Sequence, residues 1–440
     1  MPERLMEGVC EPVQLEPFVH QVGGHASMMQ FDETTICKPL IPREHHFYQM
    51  VPAEMKRFMP EYRGVIEVSF QEDSDGYVTL VAHPPDCDKK PAQSAESDCC
   101  TSQDSRDSTS VDSVQLDSEQ EVAHITSRTK QQQQWFRLHR TGSVEIVDKE
   151  ISDVLDTSKE TNSALVKGHN PWSLHCHKEQ LSRMWRKSQT AGPDKFILLE
   201  NLASHFELPC ILDLKMGTRQ HGDDASEEKR VRQMRKCKET TSAAIGVRIC
   251  GMQVYQCNTG HFVCHNKYYG RRLDANSVKE TLCHFLQNGY RLRVELIDPI
   301  IEQLQALYNT LSKLITFRFY SSSLLIMYDG ADWNKNLQQN GDMADMTTAQ
   351  SRQLDDDDDG NGDLSLDTGL CHSELMHRVD NKNDSMCGPL VRMIDFAHAT
   401  HHGFRGDRTE HSGPDHGYLF GLENLIKMFH ELKSEQLQRQ

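Results

Sequence analysis

The segment Leu208–Lys238 reads LPCILDLKMGTRQHGDDASEEKRVRQMRKCK and is the most informative part of the chain. Its short apolar run predicts a buried strand, in which Asp213 and Lys215 are two residues apart and point to the same face. A cationic helical face is predicted next, formed by Lys229, Arg232 and Lys236. This combination suggests a site for a multiply anionic ligand, although the same spacing also fits a strand-end ion pair followed by a solvated helix.

The composition narrows the class of protein. The chain has 440 residues, of which 37% are hydrophobic and 26% charged, so a sizeable core is expected together with long polar inserts. The formal net charge of -17 argues against nucleic-acid binding. No apolar run is long enough to span a bilayer, and the first residues do not resemble a signal peptide. Fourteen cysteines without such a signal are expected to be reduced thiols, which predicts the cytoplasm and nucleus.

Changes in composition divide the chain into two lobes interrupted by two inserts. The first insert is dominated by Ser, Asp, Gln and Thr, and the second is acidic and of low complexity, so both are predicted to be disordered. The predicted segments are a β-rich ATP-binding lobe at 1–85, a disordered polar insert at 86–168, a second lobe with hinge and ligand-binding helices at 169–330, an acidic insert at 331–386, and the continuation of the second lobe at 387–440.

Four separated elements, one of them the charged pair already described, together predict a nucleotide-dependent phosphotransferase. Gly23 and Gly24 lie between predicted strands, where bare backbone amides can approach phosphates. Lys38 interrupts a β-branched run and can neutralise α- and β-phosphates if an acid such as Glu44 holds it. Asp395 ends an apolar strand, and a buried unpaired carboxylate is costly, so a metal or a basic neighbour is implied. Magnesium held by one carboxylate plus nucleotide phosphates fits this position.

Three motifs give the chain a family resemblance. The sequence PCILDLKMG at 209–217 matches the Pro-x-x-x-Asp-x-Lys-x-Gly motif of the inositol polyphosphate kinase family. SSLL at 322–325 and IDFAH at 394–398 match that family's two later motifs in the right order. The resemblance covers both lobes and excludes the inserts, and the flanking text is most similar to the inositol hexakisphosphate kinase branch of vertebrate type. It implies an α+β, two-lobed fold, distantly similar to protein kinases, that uses ATP and Mg²⁺.

The resemblance also implies roles for individual residues. For ATP it implies phosphate contact by Lys38, an ion pair from Glu44, adenine hydrogen bonds from the backbone of Glu200 and Leu202, and ribose contact by Asp213. For catalysis it implies Lys215 at the transferred phosphoryl group, with Asp213 orienting the site. For the metal it implies Asp395 with Ser323 nearby. For the inositol phosphate it implies contacts from Lys215, Lys229, Arg232, Gln233, Lys236, Lys267 and His398.

The expected reaction moves the γ-phosphoryl group of ATP onto a phosphate of inositol hexakisphosphate and gives a diphosphoinositol pentakisphosphate. The 5-position of the product, and inositol pentakisphosphate as a further acceptor, are implied by the resemblance alone. Each phosphate monoester bears a charge of about -1.5 to -2, so this acceptor needs many cations and few apolar contacts. A phosphate acceptor is already ionised and needs no strong base, since positioning and charge neutralisation suffice.

Two alternatives stay open from the residues. The first is a multikinase or trisphosphate 3-kinase acting on ring hydroxyls, for which Asp213 is a candidate base. The second is a non-catalytic scaffold that binds inositol phosphates and recruits protein partners through its inserts. The joint presence of Lys38, Asp213, Lys215 and Asp395 argues against the scaffold, because a binder needs no magnesium carboxylate. A monomer is expected.

Overall fold

A computed structural model describes most of the two predicted lobes. The described residues are 12–24, 27–72, 74–83, 136–147, 152–153, 155, 163–188, 193–331, 388–404 and 409–438. The predicted disorder of the second insert therefore concerns residues that lie, apart from 331, outside the described part of the chain. No helix among the described residues is long and apolar enough to cross a membrane.

The described residues form strands and helices in a mixed order. The strands are β1 (Val13–Gln14), β2 (Glu16–Pro17), β3 (Met29–Gln30), β4 (Thr35–Pro39), β5 (Tyr62–Glu72), β6 (Tyr77–His83), β7 (Phe136–His139), β8 (Val144–Ile146), β9 (Ser163–Val166), β10 (Asp194–Glu200), β11 (Pro209–Met216), β12 (Val247–Gln256), β13 (His261–His265), β14 (Arg318–Tyr320), β15 (Ser323–Asp329), β16 (Leu390–Ile394) and β17 (His398–Thr400). The α-helices are α1 (Pro42–Met50), α2 (Ala53–Lys56), α3 (Pro171–Ser188), α4 (Glu227–Lys238), α5 (Thr241–Ile245), α6 (Lys267–Gly270), α7 (Ala275–Phe285), α8 (Ile297–Leu311) and α9 (His416–Leu437). Two 3₁₀ turns span Leu202–His205 and Val294–Leu296.

The first lobe is built on a sheet of nine described strands, in the order β2-β3-β4-β10-β5-β6-β7-β8, with β1 on β6. Its centre differs from the predicted boundaries, because β10 comes from the segment assigned to the second lobe and pairs antiparallel with both β4 and β5. Phe196 and Leu198 of β10 join a core with Leu181 and Met184 of α3. The run KFILLE is apolar enough to be buried on both faces, which suits a central strand.

The prediction of disorder is wrong for part of the first insert. β7 pairs with β6, β8 pairs with β7, and β9 pairs with β13 of the other lobe. Gly142 has a φ of 83° in the turn between β7 and β8, a conformation that glycine adopts at no steric cost. An edge hairpin buries only one face, and here Leu138 is 2% exposed while its neighbours remain polar. The polar composition therefore concealed short strands.

The second lobe is built on six described strands in the order β16-β15-β11-β12-β13-β9. β11 lies inside this sheet, paired antiparallel with β15 and β12, and its residues Cys210–Leu214 are all buried, including the carboxylate of Asp213. The sequence pattern at 244–256 predicts a strand, a turn and a strand. Instead, α5 ends at Gly246, which has a φ of 68°, and β12 then runs unbroken through this region.

One hydrophobic cluster extends across both lobes, and α1 contributes aromatic residues to it where the lobes meet. Phe47 of α1 stacks on Phe396 of the second lobe with ring centroids 4.5 Å apart, and Tyr48 meets the same ring edge-on at 5.5 Å. Both aromatic residues belong to the cluster that continues into α8 and α9. The prediction of an α+β, two-lobed fold is thereby confirmed, with the cleft between the lobes bounded by β10 and its 3₁₀ turn.

Candidate active site

A cleft of about 490 Å³ lies between the two sheets. Its lining comes from the glycine turn after β2, from β4, α1, the end of β10, β11, β12, α4, α6 and the segment after β16. One half is apolar and adjoins the 3₁₀ turn, whereas the other half is cationic. A charged cluster lies where the two halves meet.

Asp395 is the centre of this charged cluster. Its Oδ1 lies 3.2 Å from Lys38 Nζ, and its Oδ2 lies 3.3 Å from Lys215 Nζ. Lys38 Nζ also lies 2.9 Å from Glu44 Oε1, and Lys215 Nζ donates to the carbonyl oxygen of Ser321 at 2.6 Å. The sequence therefore brings together, from four separate elements, two lysines and two carboxylates in a continuous chain of ion pairs.

The backbone around Asp395 is shaped to present this carboxylate. Asp395 has a φ of 65°, which is uncommon for a residue other than glycine but tolerated by Asp and Asn. The next residue, Phe396, is fully buried against α1, and its backbone N–H donates to Glu44 Oε1 at 3.2 Å. Glu44 thus accepts hydrogen bonds from both Lys38 and the backbone that follows Asp395, so α1 fixes the carboxylate and the lysine together.

The electrostatics of the cluster favour the charged form of every member for which a shift is resolved. Burial alone raises the pKa of Asp395, but Lys38 and Lys215 outweigh burial and hold that pKa well below its usual range. Burial alone lowers the pKa of Lys38, whereas Glu44 and Asp395 raise it above its usual value. The pKa of Lys215 is likewise raised, because Asp395 and Asp213 outweigh burial. The site therefore holds two ammonium groups ready for an anionic ligand.

Asp213 lies on the cleft floor beneath the glycine turn. It is 3% exposed, and a Cβ on Gly23 would lie 1.8 Å from its Oδ2, so this close approach requires glycine. Gly24 follows with a φ of 81°. Burial raises the pKa of Asp213 to about 6, although nearby Lys215 acts in the opposite direction. Its Oδ1 has no hydrogen-bond partner among the described residues, which is costly for a buried carboxylate.

The apolar half of the cleft matches the predicted nucleotide end. Glu200 and Leu202 both line it, next to the 3₁₀ turn. The side chain of Glu200 is directed away, since it accepts from the backbone N–H of Glu61 at 3.0 Å and contacts His205 at 3.0 Å. The apolar lining includes Val22, Ile36, Leu325 and Met327. Such side chains suit a flat heterocycle. The backbone N–H groups of Glu200 and Asn201 already donate to the carbonyl oxygens of Glu61 and Thr34.

The cationic half contains most of the predicted inositol-phosphate contacts. Gln233, Lys236, Lys267 and His398 line the cleft. The pKa of Lys236 is lowered by burial and by Arg271 and Arg248, and the pKa of Lys267 is lowered by burial and by Arg271. These lysines are crowded by other cations, so a multiply charged anion would relieve their repulsion.

Three predicted residues lie away from the cleft lining. Arg232 of α4 is exposed and is not among the residues that line the cleft. Ser323 is fully buried, and its hydroxyl has no hydrogen-bond partner among the described residues, while its neighbour Ser321 lines the cleft instead. Lys229 is at the rim, where its Nζ lies 3.2 Å from Nε2 of His398. Burial and Lys229 lower the pKa of His398, which favours the neutral imidazole.

Sequence reasoning missed two arginines and one cysteine of the lining. Arg248 is only 6% exposed and lies opposite Lys215 in the register of β12 with β11. A register shift after Asp213 leaves Cys250 as the extra residue of β12, next to the same cavity. Arg271 follows α6. An unbroken strand at 247–256 would have placed Arg248 and Cys250 on one face, so the misread turn concealed both.

The oxygen atoms near the charged cluster fit a divalent ion. Asp395 presents a partly exposed carboxylate to the cleft, and Asp213 has a buried oxygen without a partner. No group of three or more His, Cys, Asp or Glu side chains is gathered as a metal site among the described residues. Hard divalent cations take oxygen ligands, and Mg²⁺ often combines one or two carboxylates with nucleotide phosphates.

These features define a nucleotide-dependent phosphotransferase site, and comparison with known proteins gives its family. The family model for inositol polyphosphate kinase matches residues 196–430, so the chain belongs to the inositol polyphosphate kinase family. The resemblance drawn from the motifs is thereby confirmed.

Individual relatives narrow the similarity within that family. The chain is 46% identical over 432 residues to inositol hexakisphosphate kinase 1 of Rattus norvegicus, covering 96% of this chain and 94% of that protein. It is 40% identical over 423 residues to inositol hexakisphosphate kinase 3 of Homo sapiens, covering 96% of each. Among solved structures, inositol phosphate multikinase Ipk2 from S. cerevisiae, in complex with ADP and Mn²⁺, matches at 25% identity with a TM-score of 0.38, covering 54% of this chain and 84% of that chain.

Proposed function

We propose that this protein is an ATP-dependent inositol hexakisphosphate kinase. The observation that carries the proposal is the Lys38–Asp395–Lys215 chain of ion pairs, which lies between an apolar nucleotide half and a cationic acceptor half of one cleft. The family membership and the similarity to inositol hexakisphosphate kinases 1 and 3 support the same acceptor.

In this mechanism the cationic half holds the acceptor so that one of its phosphate oxygens faces the γ-phosphorus of ATP. A bond forms between that oxygen and the γ-phosphorus while the bond to the β-phosphate oxygen breaks, and the negative charge passes to ADP. Lys38 neutralises the nucleotide phosphates, and Lys215 neutralises the phosphoryl group in transfer. The acceptor oxygen is already ionised, so no residue has to remove a proton, and the rate depends on positioning and charge.

Mg²⁺ is the divalent ion in this proposal. Asp395 is the residue that would hold it, with the nucleotide supplying further oxygens. When bound, the ion neutralises charge on the nucleotide phosphates. The two lysines beside Asp395 keep its carboxylate ionised, so the ligand stays available throughout the neutral pH range. Ser323 is fully buried and does not line the cleft, whereas Asp213 lines it and is a second source of an oxygen.

The test incubates the purified full chain with ATP, Mg²⁺ and either inositol hexakisphosphate or an inositol trisphosphate. Phosphorus NMR of the products distinguishes a diphosphate from a new monoester. We expect the diphosphate signal with inositol hexakisphosphate, at the 5-position of the ring. Consumption of hydroxyl-bearing inositol phosphates alone would instead favour the multikinase or 3-kinase alternative, and binding without ADP release would favour the scaffold.

A further inference from the structure

Trp172 connects the two halves of the cleft without lining either of them. It is the second residue of α3, is 9% exposed and lies behind the cleft wall. Its indole Nε1 donates to the carbonyl oxygen of Gly24 at 3.2 Å. The face of the same ring lies 4.6 Å from Nζ of Lys267. One side chain therefore contacts both the glycine turn and a lysine of the cationic half.

On the nucleotide side, the contact fixes a turn that has no side chains of its own to anchor it. Gly23 rests on Asp213, and its carbonyl oxygen accepts from Nε2 of Gln21 at 2.8 Å. The Gly24 carbonyl is held by Trp172. Because two glycines have high conformational freedom, the two side-chain donors decide where the backbone amides of the turn point. The turn is therefore positioned from α3.

On the acceptor side, Trp172 supplies one of two aromatic faces to Lys267. The second face belongs to Tyr268, whose ring centroid lies 5.2 Å from Lys267 Nζ. Arg271 lies over the same tyrosine ring at 5.2 Å. An aromatic face attracts an ammonium group, so the two rings offset part of the repulsion from the neighbouring cations and hold the lysine in the cleft wall.

The start of α3 is anchored by the side chain of Asn170. Asn170 accepts from the backbone N–H of Trp172 at 2.9 Å through its Oδ1, and its Nδ2 donates to Gln253 of β12 at 3.1 Å. The first turn of α3 is thus tied to the second sheet, although the body of α3 packs on the first sheet. Trp172 therefore lies between the glycine turn and Lys267, and the residue two positions before it ties this end of α3 to β12.

We propose that Trp172 is a positioning residue that couples nucleotide binding at the Gly23–Gly24 turn to acceptor binding at Lys267. The inference rests on the proposed function, because that function assigns the nucleotide and the inositol phosphate to these two surfaces. Each ligand orders one side of Trp172, so a first ligand leaves less ordering for the second to accomplish, and the two bind with positive cooperativity.

Three substitutions in the full chain separate the two contacts. Trp172→Phe removes the N–H but keeps an aromatic face, and we expect the KM for ATP to rise about threefold to tenfold with little change in the KM for inositol hexakisphosphate. Tyr268→Leu is the matched control, since it removes the other ring face from Lys267 and keeps the Trp172 N–H that donates to Gly24, although it also removes an edge-on ring contact with Trp172 at 6.3 Å. The acceptor KM should therefore rise more than the KM for ATP, about twofold to fivefold. Trp172→Leu should raise both.

A double-mutant cycle measures an effect on KM that a tryptophan with a merely structural role would not produce. In a Lys267→Met background, Trp172→Leu should leave the acceptor KM unchanged while still raising the KM for ATP. A purely structural tryptophan would lower the thermal midpoint and reduce kcat through the active fraction, without separating the two constants. An unchanged KM for ATP in Trp172→Phe, or an unchanged acceptor KM in Tyr268→Leu, would overturn the proposal. If Trp172→Leu fails to fold, these two milder variants still decide the question.

Direct titration distinguishes failure of this inference from failure of the proposed function. If the wild-type chain did not turn over inositol hexakisphosphate, the proposed function would be wrong. Binding of a non-hydrolysable ATP analogue, measured with and without inositol hexakisphosphate, needs no turnover. Wild-type affinities that enhance each other, together with loss of the enhancement in Trp172→Leu, support the coupling. Independent affinities in the wild type contradict it.

Discussion

The pKa values of lysine side chains are shifted in opposite directions in two parts of the cleft. In the charged cluster that borders the nucleotide half, Lys38 and Lys215 each contact a carboxylate, and their pKa values are raised. In the acceptor half, Lys236 and Lys267 are crowded by arginines, and their pKa values are lowered. The first half supplies its own counter-charges, and the second relies on a ligand to supply them.

This difference suits the two kinds of ligand. ATP phosphates arrive with a divalent ion that offsets much of their charge, so lysines held by carboxylates give orientation without excessive affinity. An inositol ring with a phosphate on every carbon brings far more charge, and a crowded cationic wall stores repulsion that such an anion relieves on binding. Four substitutions or conditions test this contrast.

The largest effect is expected from Asp395→Asn. The change leaves Lys38 and Lys215 without their shared counter-charge and removes the carboxylate proposed to hold the metal, so kcat should fall about a thousandfold. Asn tolerates the φ of 65° as Asp does, so backbone strain does not account for the loss. Steady-state turnover at saturating ATP checks it. Asp298→Asn, at a surface ion pair with Lys433, is the matched control. Intact turnover in Asp395→Asn would remove the centre of the proposed site.

Glu44→Gln should have the next largest effect. Glu44 is 0% exposed and holds both Lys38 and the N–H of Phe396, so breaking this buried pair should lower the free energy of unfolding by about 3 kcal/mol. The kcat/KM for ATP should fall about a hundredfold, because α1 no longer fixes the lysine. Denaturant unfolding and ATP kinetics measure the two effects. Glu54→Gln, at an exposed site on α2, should change neither.

Lys236→Met should have smaller effects, which are opposite in sign for thermal stability and for binding of the acceptor. Removing this partly buried cation should raise the thermal midpoint of the ligand-free protein by a degree or two, because the cost of burying its charge and the repulsion from Arg271 and Arg248 are both removed. The same change should weaken binding of inositol hexakisphosphate about tenfold. Thermal scans with and without the acceptor check both parts. Lys238→Met, at an exposed position of the same helix, is the comparison, and a lower midpoint for Lys236→Met alone would contradict stored repulsion.

The smallest effect concerns alkaline pH. The pKa values of Lys236 and Lys267 are lowered from 10.5, so the unfolded chain binds protons more tightly. Taken by themselves, these two lysines make the free energy of unfolding of the ligand-free protein rise as pH increases through the window below 10.5. The buried thiols of Cys37, Cys210 and Cys264, whose pKa values are raised from 9.0 by burial, act in the opposite direction. Over the same window the acceptor KM should increase severalfold before the ATP KM changes, because the raised pKa values of Lys38 and Lys215 keep them charged. If the acceptor KM and the KM for ATP rose over the same pH range, the proposed difference between the two sets of lysines would be contradicted.

Local sequence predicted the nucleotide half better than the acceptor half. Asp213 and Lys215 share a face because strand period depends on neighbouring residues only, and the Lys38–Glu44 contact joins positions six residues apart. The acceptor wall instead depends on the register of β12 with β11, which places Arg248 beside Lys215. Register between distant strands is set by tertiary packing, so this arginine could not be assigned from its own segment.

Trp172 and the β7–β8 hairpin escaped prediction for related reasons. The indole of Trp172 acts on Gly24, and nothing in the local pattern of α3 links the two. The hairpin is held by pairing with β6 and by one buried leucine, so its composition resembles that of a polar linker. The absence of Arg232 from the cleft lining also depends on packing. A cationic helix presents charges around its circumference, and only the packing of α4 decides which of them face the cleft.

The position of β10 has a consequence for synthesis on the ribosome. Its partners β4 and β5 are made early, but β10 itself emerges only after residues 84–193, so the first sheet lacks its middle strand for much of translation. Until then β4 and β5 each have one edge with unpaired backbone N–H and C=O groups, which can pair with strands of other chains. We therefore expect chaperones to bind a nascent chain that is halted before residue 200. Once released, that fragment should aggregate and not form a stable folded domain.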